Sequence, residues 1–183
     1  MAQALKQGGL VASQMGLSIE ETTGSLAAFA SAGLLGSDAG TSMKTMLQRL
    51  MNPATKAKNL MDELGLTVYN SSGKFVGMAN FAGQLRDKLG SLSLEQRNAA
   101  LSTIFGSDAI RAASVLYDQG AAGIQGWIDK VNDQGYAATT AAARMDNLKG
   151  DLEGLSGSWE TLMIKMGSSA QTPLRGIVKF ADQ

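Results

Sequence analysis

Nonpolar residues recur at helical spacing through most of this chain, most clearly between Gly33 and Leu66. A first face combines positions i, i+3, i+4 and i+7, namely Met43, Met46, Leu47 and Leu50. A second face repeats nearly the same spacing a little later, with Ala57, Leu60, Met61 and Leu64. The pattern therefore predicts two amphipathic helices in succession, and we expect the rest of the fold to be organised around them.

Residues at the ends of these two helices predict a tight corner between them. Ser37 precedes the first helical run and is a residue type that caps free amides, so we expect it to be the N-cap. The residue before a proline avoids helical conformation, so Asn52-Pro53 ends this helix. The same pair can begin the next helix, with Asn52 as cap and Pro53 in the first position. Gly65 stands where a left-handed residue closes a helix.

Further helices are predicted on both sides of this pair. Residues 2–15 have weak helical periodicity, and residues 77–90 have a stronger one. Serine caps followed three residues later by Glu or Gln predict two further helix starts, at Ser18 and Ser93, with Ile19 and Leu94 on the buried faces. After Ser93 we expect three helices, separated by Gly106 and Gly120.

Residues 66–76 change character from helical to extended. Leu66-Thr67-Val68-Tyr69 is rich in β-branched and aromatic residues, and Asn70-Ser71-Ser72-Gly73 favours a turn before Lys74-Phe75-Val76. We therefore predict a short β-hairpin at about 66–76, which must lean on the helices because an isolated hairpin is marginal in water.

Nonpolar residues in the last part of the chain alternate steps of three and four from Ala138 to Met166. Such a heptad pattern predicts one long helix over about 136–166, roughly 45 Å in length. Glycines inside it cost about 1 kcal/mol each relative to alanine, so the helix needs a partner, either in this domain or in another copy. The predicted seam is formed by Met145, Leu148, Leu152, Leu155, Trp159, Leu162 and Met166.

These elements predict a mainly α fold. We expect a compact multi-helix core with one β-hairpin over residues 1–135, and a long helix plus a short terminal helix over 136–183, packed on that core. No closing motif ends the chain, so we expect it to be a fragment of a longer polypeptide.

Composition excludes several kinds of chemistry. Lys and Arg number 16 and Asp and Glu number 16, so no net field attracts nucleic acid or an anionic membrane. Neither Cys nor His is present, which removes disulfides, thiol nucleophiles, histidine triads and the usual zinc ligands. No run of about 18 nonpolar residues predicts a membrane span in this segment, and no signal peptide opens it.

Carboxylate pairs are the remaining candidates for catalysis, because two of them could cleave a glycan. The candidates are Glu20 with Glu21, Asp62 with Glu63 and Asp151 with Glu153. Capping and solvated helix faces explain all three pairs better, so we predict no enzyme, no cofactor and no metal.

Two further sequence features could have a functional meaning, a local run of basic residues and a repeated tetrapeptide. Lys44, Arg49, Lys56 and Lys58 could contact DNA electrostatically, although a solvated outer face is favoured. Gly36-Ser37-Asp38-Ala39 recurs as Gly106-Ser107-Asp108-Ala109, which we interpret as shared turn chemistry in preference to a duplication.

In their order along the chain, several of these pieces resemble the core region of phage tail tape measure proteins, which also occur in prophages and tail-like particles. The matching segments are Ser18–Glu21, Ala32–Thr41, Leu47–Leu50, Leu64–Leu66, Ser72–Lys74, Ile104–Gly106 and Asn147–Gly167. The residues that carry the motif are Gly33, Gly36, Ser37, Gly40, Thr41, Leu50, Gly65, Phe105 and Gly106.

The resemblance implies a structural role. Proteins of this family resemble helical rulers that occupy the tail tube lumen, set tail length and leave with DNA ejection. It implies a location in the virion tail, and in the host cytoplasm during assembly. The implied partners are the tail tube protein, tail assembly chaperones, tail-tip proteins and other copies of the chain.

Glycines that end the predicted helices at short intervals indicate a compact fold. We therefore expect an organising or docking domain, and we expect flanking helical sequence to determine the tail length. The alternative from another class is a stand-alone helical oligomerisation domain, associating through the Met145–Met166 seam without catalytic activity.

Overall fold

The computed structural model describes residues 1–133, and these form a mainly α fold. The described part contains the helices α1 (Ala2–Gln14), α2 (Ile19–Ser31), α3 (Gly36–Met51), α4 (Thr55–Leu64), α5 (Met78–Leu89) and α6 (Leu94–Asn132). The predicted long helix at 136–166, its seam and the terminal helix lie outside the described residues. Those elements, and the domain division at 135, stay predictions.

Both predicted capping boxes are present. The Ser18 hydroxyl accepts from the Glu21 amide at 3.1 Å, and the Glu21 carboxylate accepts from the Ser18 amide at 3.2 Å. Ser93 and Gln96 make the same reciprocal pair at 3.2 and 3.1 Å. These bonds satisfy amides that the first turn leaves without helical partners, which fixes the starts of α2 and α6.

The predicted caps of α3 and α4 are wrong. Leu35 is the N-cap of α3, and Ser37 lies inside the first turn, because Gly36 with φ +58° already turns the chain into the helix. Ala54 is the N-cap of α4, so Asn52 and Pro53 belong to the connection between the helices. At the other end of α4 the prediction is confirmed, since Gly65 is left-handed with φ +67° and ψ +34°.

The predicted β-hairpin at 66–76 is also wrong, because the described residues form no strand there. One antiparallel bridge joins Tyr69 to Phe75. The Asn70 side-chain oxygen accepts from the Ser72 and Lys74 amides, each at 3.0 Å. The Thr67 amide donates to the Gln84 side-chain oxygen at 2.7 Å, and the Gln84 side-chain nitrogen donates to the Thr67 carbonyl oxygen at 3.0 Å. Backbone pairing beside the bridge is limited to two bonds, from the Asn70 amide to the Lys74 carbonyl at 2.8 Å and from the Val76 amide to the Val68 carbonyl at 3.0 Å, and it does not extend into strands.

Helix α6 bends sharply at two glycines, as the sequence predicts. Gly106 has φ +71° and ψ −179°, and Gly120 has φ +61° and ψ −170°, so α6 consists of a first, second and third segment (94–105, 107–119 and 121–132). The Arg97 guanidinium donates to the Tyr117 hydroxyl at 2.9 Å. In an unbroken helix these residues would lie about 30 Å apart, so the first two segments run back along each other.

Nonpolar side chains from every described helix form one core. The predicted faces of α3 and α5 are confirmed, and Met43, Met46 and Met78 are completely buried. Phe81 meets Phe105 edge to face, with ring centroids 6.3 Å apart. Ile19 and Leu94, however, are 61% and 64% exposed. Side chains in a first helical turn point back past the helix end, and so these two miss the core.

Candidate functional site

Each of the two Gly-Ser-Asp-Ala segments contributes one residue to contacts between α3 and α6. The buried Ser42 hydroxyl donates to the carbonyl oxygen of Asp108, at the start of the second α6 segment. On the surface beside it, the Asp38 carboxylate lies 3.6 Å from the Arg111 guanidinium. Gly36 and Gly106 both have positive φ and both lead into a helix, which agrees with shared turn chemistry.

Glycines allow the helices around this contact to approach very closely. A Cβ on Gly40 of α3 would lie 2.8 Å from Ala4 Cα in α1, and still closer to the Ala4 carbonyl oxygen. A Cβ on Gly24 of α2 would lie 2.7 Å from Ile128 Cα in α6. The high glycine content therefore serves helix packing as well as turns.

The structure places the residues that carry the family motif in turns, in the core and on the surface. Gly33, Gly36, Gly65 and Gly106 have positive φ and turn the chain. Gly40, Leu50 and Phe105 are buried, whereas Ser37 and Thr41 are exposed. Most of the motif thus shapes α3 and its contacts, and its role as a family signature stays a prediction.

Arginines cover both breaks in α6. A Cβ on Gly106 would lie 2.8 Å from Nη2 of Arg49, which extends from α3. A Cβ on Gly120 would lie 2.8 Å from Cδ of Arg86. Arg86 also donates to the Asp118 carbonyl oxygen at 3.1 Å. Sequence analysis misses both contacts, because it shows where a helix stops but not which side chain covers the stop.

Two of the open clefts on the described surface are lined partly by nonpolar side chains. One, of about 580 Å³, lies between the end of α3, α4 and residues 66–69, with Met61, Asp62 and Val68 in its lining. The other, of about 710 Å³, is lined by residues that include Leu34, Ile110 and Val115. The linings of these two clefts contain one carboxylate between them, Asp62, so neither cleft holds a pair of carboxylates.

The structure describes the surroundings of two of the candidate acidic residues, Glu21 and Asp62. Glu21 is engaged in the capping box of α2. Asp62 lies at the first cleft, and Asp151 and Glu153 fall outside the described residues. Within residues 1–133 no cluster of three or more carboxylates could hold a metal ion.

Residues of the basic run have different surroundings: one packs against another helix, and others lie on the surface. Arg49 covers Gly106, Lys58 lines the first cleft, and Lys56 is exposed on α4. A contact of this run with DNA stays a prediction. None of the helices in the described part is both long and nonpolar enough to cross a membrane.

Comparisons with known proteins place this helical core among phage tail proteins. A family model described as phage-related minor tail protein matches residues 1–106, more than half of the chain. The chain is 32% identical over 179 residues to a tape measure protein of Pneumococcus phage Dp-1, covering 97% of this chain and 16% of that protein. It is 29% identical over 190 residues to a probable tape measure protein of Escherichia phage P2, covering 100% of this chain and 23% of that protein.

No solved structure is significantly similar to the chain. The chain spans less than a quarter of the length of either curated relative.

Proposed function

We propose that this chain is a folded core segment of a tape measure protein. The chain belongs to the family of phage-related minor tail proteins, and it is a structural protein of the phage tail. In this proposal the parent protein sets tail length, scaffolds assembly of the tail tube from within the lumen, and is associated with DNA ejection. The names of the two relatives carry the proposal, together with an alignment that runs along nearly the whole chain.

Within that protein, the segment acts as an organising or docking domain. A ruler gains about 1.5 Å per residue only while its helix continues. Here α1 to α5 contain between 10 and 16 residues each, and α6 folds back at Gly106. The described residues therefore add little length for their number, and we assign the measuring to helices that flank them.

The proposed partners are the tail tube protein, tail assembly chaperones, tail-tip proteins and other copies of the chain. The proposed location is the lumen of the virion tail, with the host cytoplasm during assembly. The proposed role requires no chemical step.

An in-frame deletion of the 183 codons in the phage, with tails measured by electron microscopy, tests this proposal. If the segment is a docking domain, we expect assembly to fail. The matched control removes 183 residues of helical sequence from elsewhere in the same protein, and we expect intact tails that are shorter by about 275 Å. Tails shortened by the same amount in both deletions would show that the segment is simply part of the ruler.

A further inference from the structure

The segment that follows α4 has a composition that favours pairing with other extended chains. Leu66-Thr67-Val68-Tyr69 contains β-branched and aromatic residues, which favour extended conformation. No charged residue and no proline occurs between Glu63 and Lys74. Uncharged segments of this kind pair readily with one another, and proteins protect them with a charge, with a proline or with a covering group. Within this segment the first two kinds of protection are missing, so a covering group is needed.

The bridge from Tyr69 to Phe75 leaves one edge of the segment open. Val68 and Asn70 direct backbone bonds to residues 74–76. Successive residues of an extended chain direct their backbone groups to opposite edges, so the N–H and C=O groups of Tyr69 point away from that partner. Neither group makes a hydrogen bond within residues 1–133, and Tyr69 is 40% exposed. The backbone of Tyr69 is therefore accessible to another chain.

A side chain of α5 covers the backbone of Thr67, two positions earlier. The Gln84 carboxamide accepts from the Thr67 amide and donates to the Thr67 carbonyl oxygen. A carboxamide has a carbonyl oxygen and N–H donors, as a backbone peptide group does. Gln84 thus makes the two bonds that a residue of a neighbouring strand makes in a hydrogen-bonded antiparallel pair. At Thr67 this side chain takes the place of a neighbouring strand.

Asn80 holds the Gln84 carboxamide in this position. The Asn80 side-chain oxygen, one helical turn earlier on α5, accepts from the Gln84 side-chain nitrogen at 2.8 Å. The Gln84 nitrogen therefore donates to two acceptors, while the oxygen accepts from Thr67. Because the carboxamide is fixed at both ends, an incoming peptide has to break existing bonds before it can pair with Thr67.

We propose that Gln84 is a built-in cap, which keeps residues 67–69 from pairing with an extended peptide that has alternating nonpolar side chains. With the cap in place only the Tyr69 backbone is available, and bonds to one residue are too weak in water to hold a peptide. Without the cap the peptide pairs with both Thr67 and Tyr69. The cleft of about 580 Å³ along residues 66–69 then takes one of its nonpolar side chains against Met61 and Val68. The inference goes beyond the proposed function and does not depend on it.

The experiment measures binding of a short peptide of alternating threonine and valine, labelled with fluorescein, to the full chain by fluorescence anisotropy. Gln84→Ala removes both bonds that cover Thr67. We expect this variant to bind the peptide about tenfold more tightly than the unsubstituted chain, because the peptide no longer competes with two internal hydrogen bonds. In NMR spectra of the variant, the peptide should shift the amide signals of Thr67 and Tyr69.

Gln125→Ala is the matched control for the substitution. Gln125 is also an exposed glutamine within a helix, and its side chain bonds to Asp129 in the same helix. We expect this variant to bind the peptide no more tightly than the unsubstituted chain does. The control for the ligand is a peptide with the same side chains and an N-methylated backbone. It has no backbone donors, so we expect it not to bind Gln84→Ala.

Equal affinity of the unsubstituted chain and Gln84→Ala overturns the proposal, and so does the absence of binding to both. Binding that shifts amide signals elsewhere, but not those of Thr67 and Tyr69, overturns it as well. If Gln84→Ala loses its helical circular dichroism, Gln84→Met decides the matter by the same criteria. Methionine keeps the length of the side chain but has neither an N–H nor a carbonyl group.

Discussion

At the scale of single residues, the close crossing of α1 and α3 depends on Gly40. In Gly40→Ala the new Cβ would meet Ala4 backbone atoms, which cannot move without separating the two helices. The gain in helix propensity is at most about 1 kcal/mol. Overpacking costs more, so we expect the free energy of unfolding to fall by about 2 kcal/mol, as measured in urea.

The matched control for this substitution lies in α1. Gly9→Ala is also a glycine-to-alanine change inside a helix, but its Cβ meets nothing within 4 Å. We expect Gly9→Ala to raise the free energy of unfolding by about 0.5–1 kcal/mol. Equal shifts in the two variants would contradict the close approach at Gly40.

At the scale of elements, the Asn70 side chain adds to the backbone bonds that close the turn between α4 and α5. Asn70→Ala removes the oxygen that accepts from the Ser72 and Lys74 amides. Loss of this bonding at an exposed site costs about 1 kcal/mol locally, so these two amides should exchange with solvent roughly fivefold faster. Hydrogen exchange measured by NMR checks the prediction.

Asn70→Asp is the control for that turn, because it keeps an acceptor oxygen in the same place. We expect near-normal exchange at Ser72 and Lys74 in this variant. Fast exchange in both variants would mean that the amide group, and not its oxygen, orders the turn.

At the scale of the whole molecule, the described helices bury a core of their own. We therefore expect a fragment of residues 1–135 to fold without the rest of the chain. Trp127 is the sole tryptophan of this fragment and is partly buried, so its fluorescence reports on the packing of α6. Fluorescence and circular dichroism should show one coincident urea transition. A gradual, non-cooperative loss of signal would refute the predicted domain boundary.

The parts of the fold that were predicted correctly from the sequence depend on local signals. The spacing of Met43 and Met46, the Ser18 cap and the breaks at Gly106 and Gly120 each depend on residues within one or two turns, and the structure confirms them. β-Branched residues at 66–69 indicated a strand, but extended pairing there amounts to one bridge from Tyr69 to Phe75, and the Thr67 backbone bonds to the Gln84 side chain.

Contacts between helices that are distant in the chain could not be predicted from the sequence. Ser42 bonds to Asp108, and Arg49 covers Gly106, yet each pair is separated by more than fifty positions in the chain. A single sequence has no periodic signal for such pairs, since they depend on how α3 and α6 pack.

Unfolding of the core would expose its buried methionines to oxidation. Met43, Met46 and Met78 are shielded from dissolved oxidants while the fold stays closed. Once a chain opens in oxidising surroundings, these thioethers become sulfoxides, which are polar and no longer fit a nonpolar interior. Refolding to the same core would then be blocked until a reductase restores the sulfur. Exposure to an oxidant can thus convert a reversible opening into a one-way step.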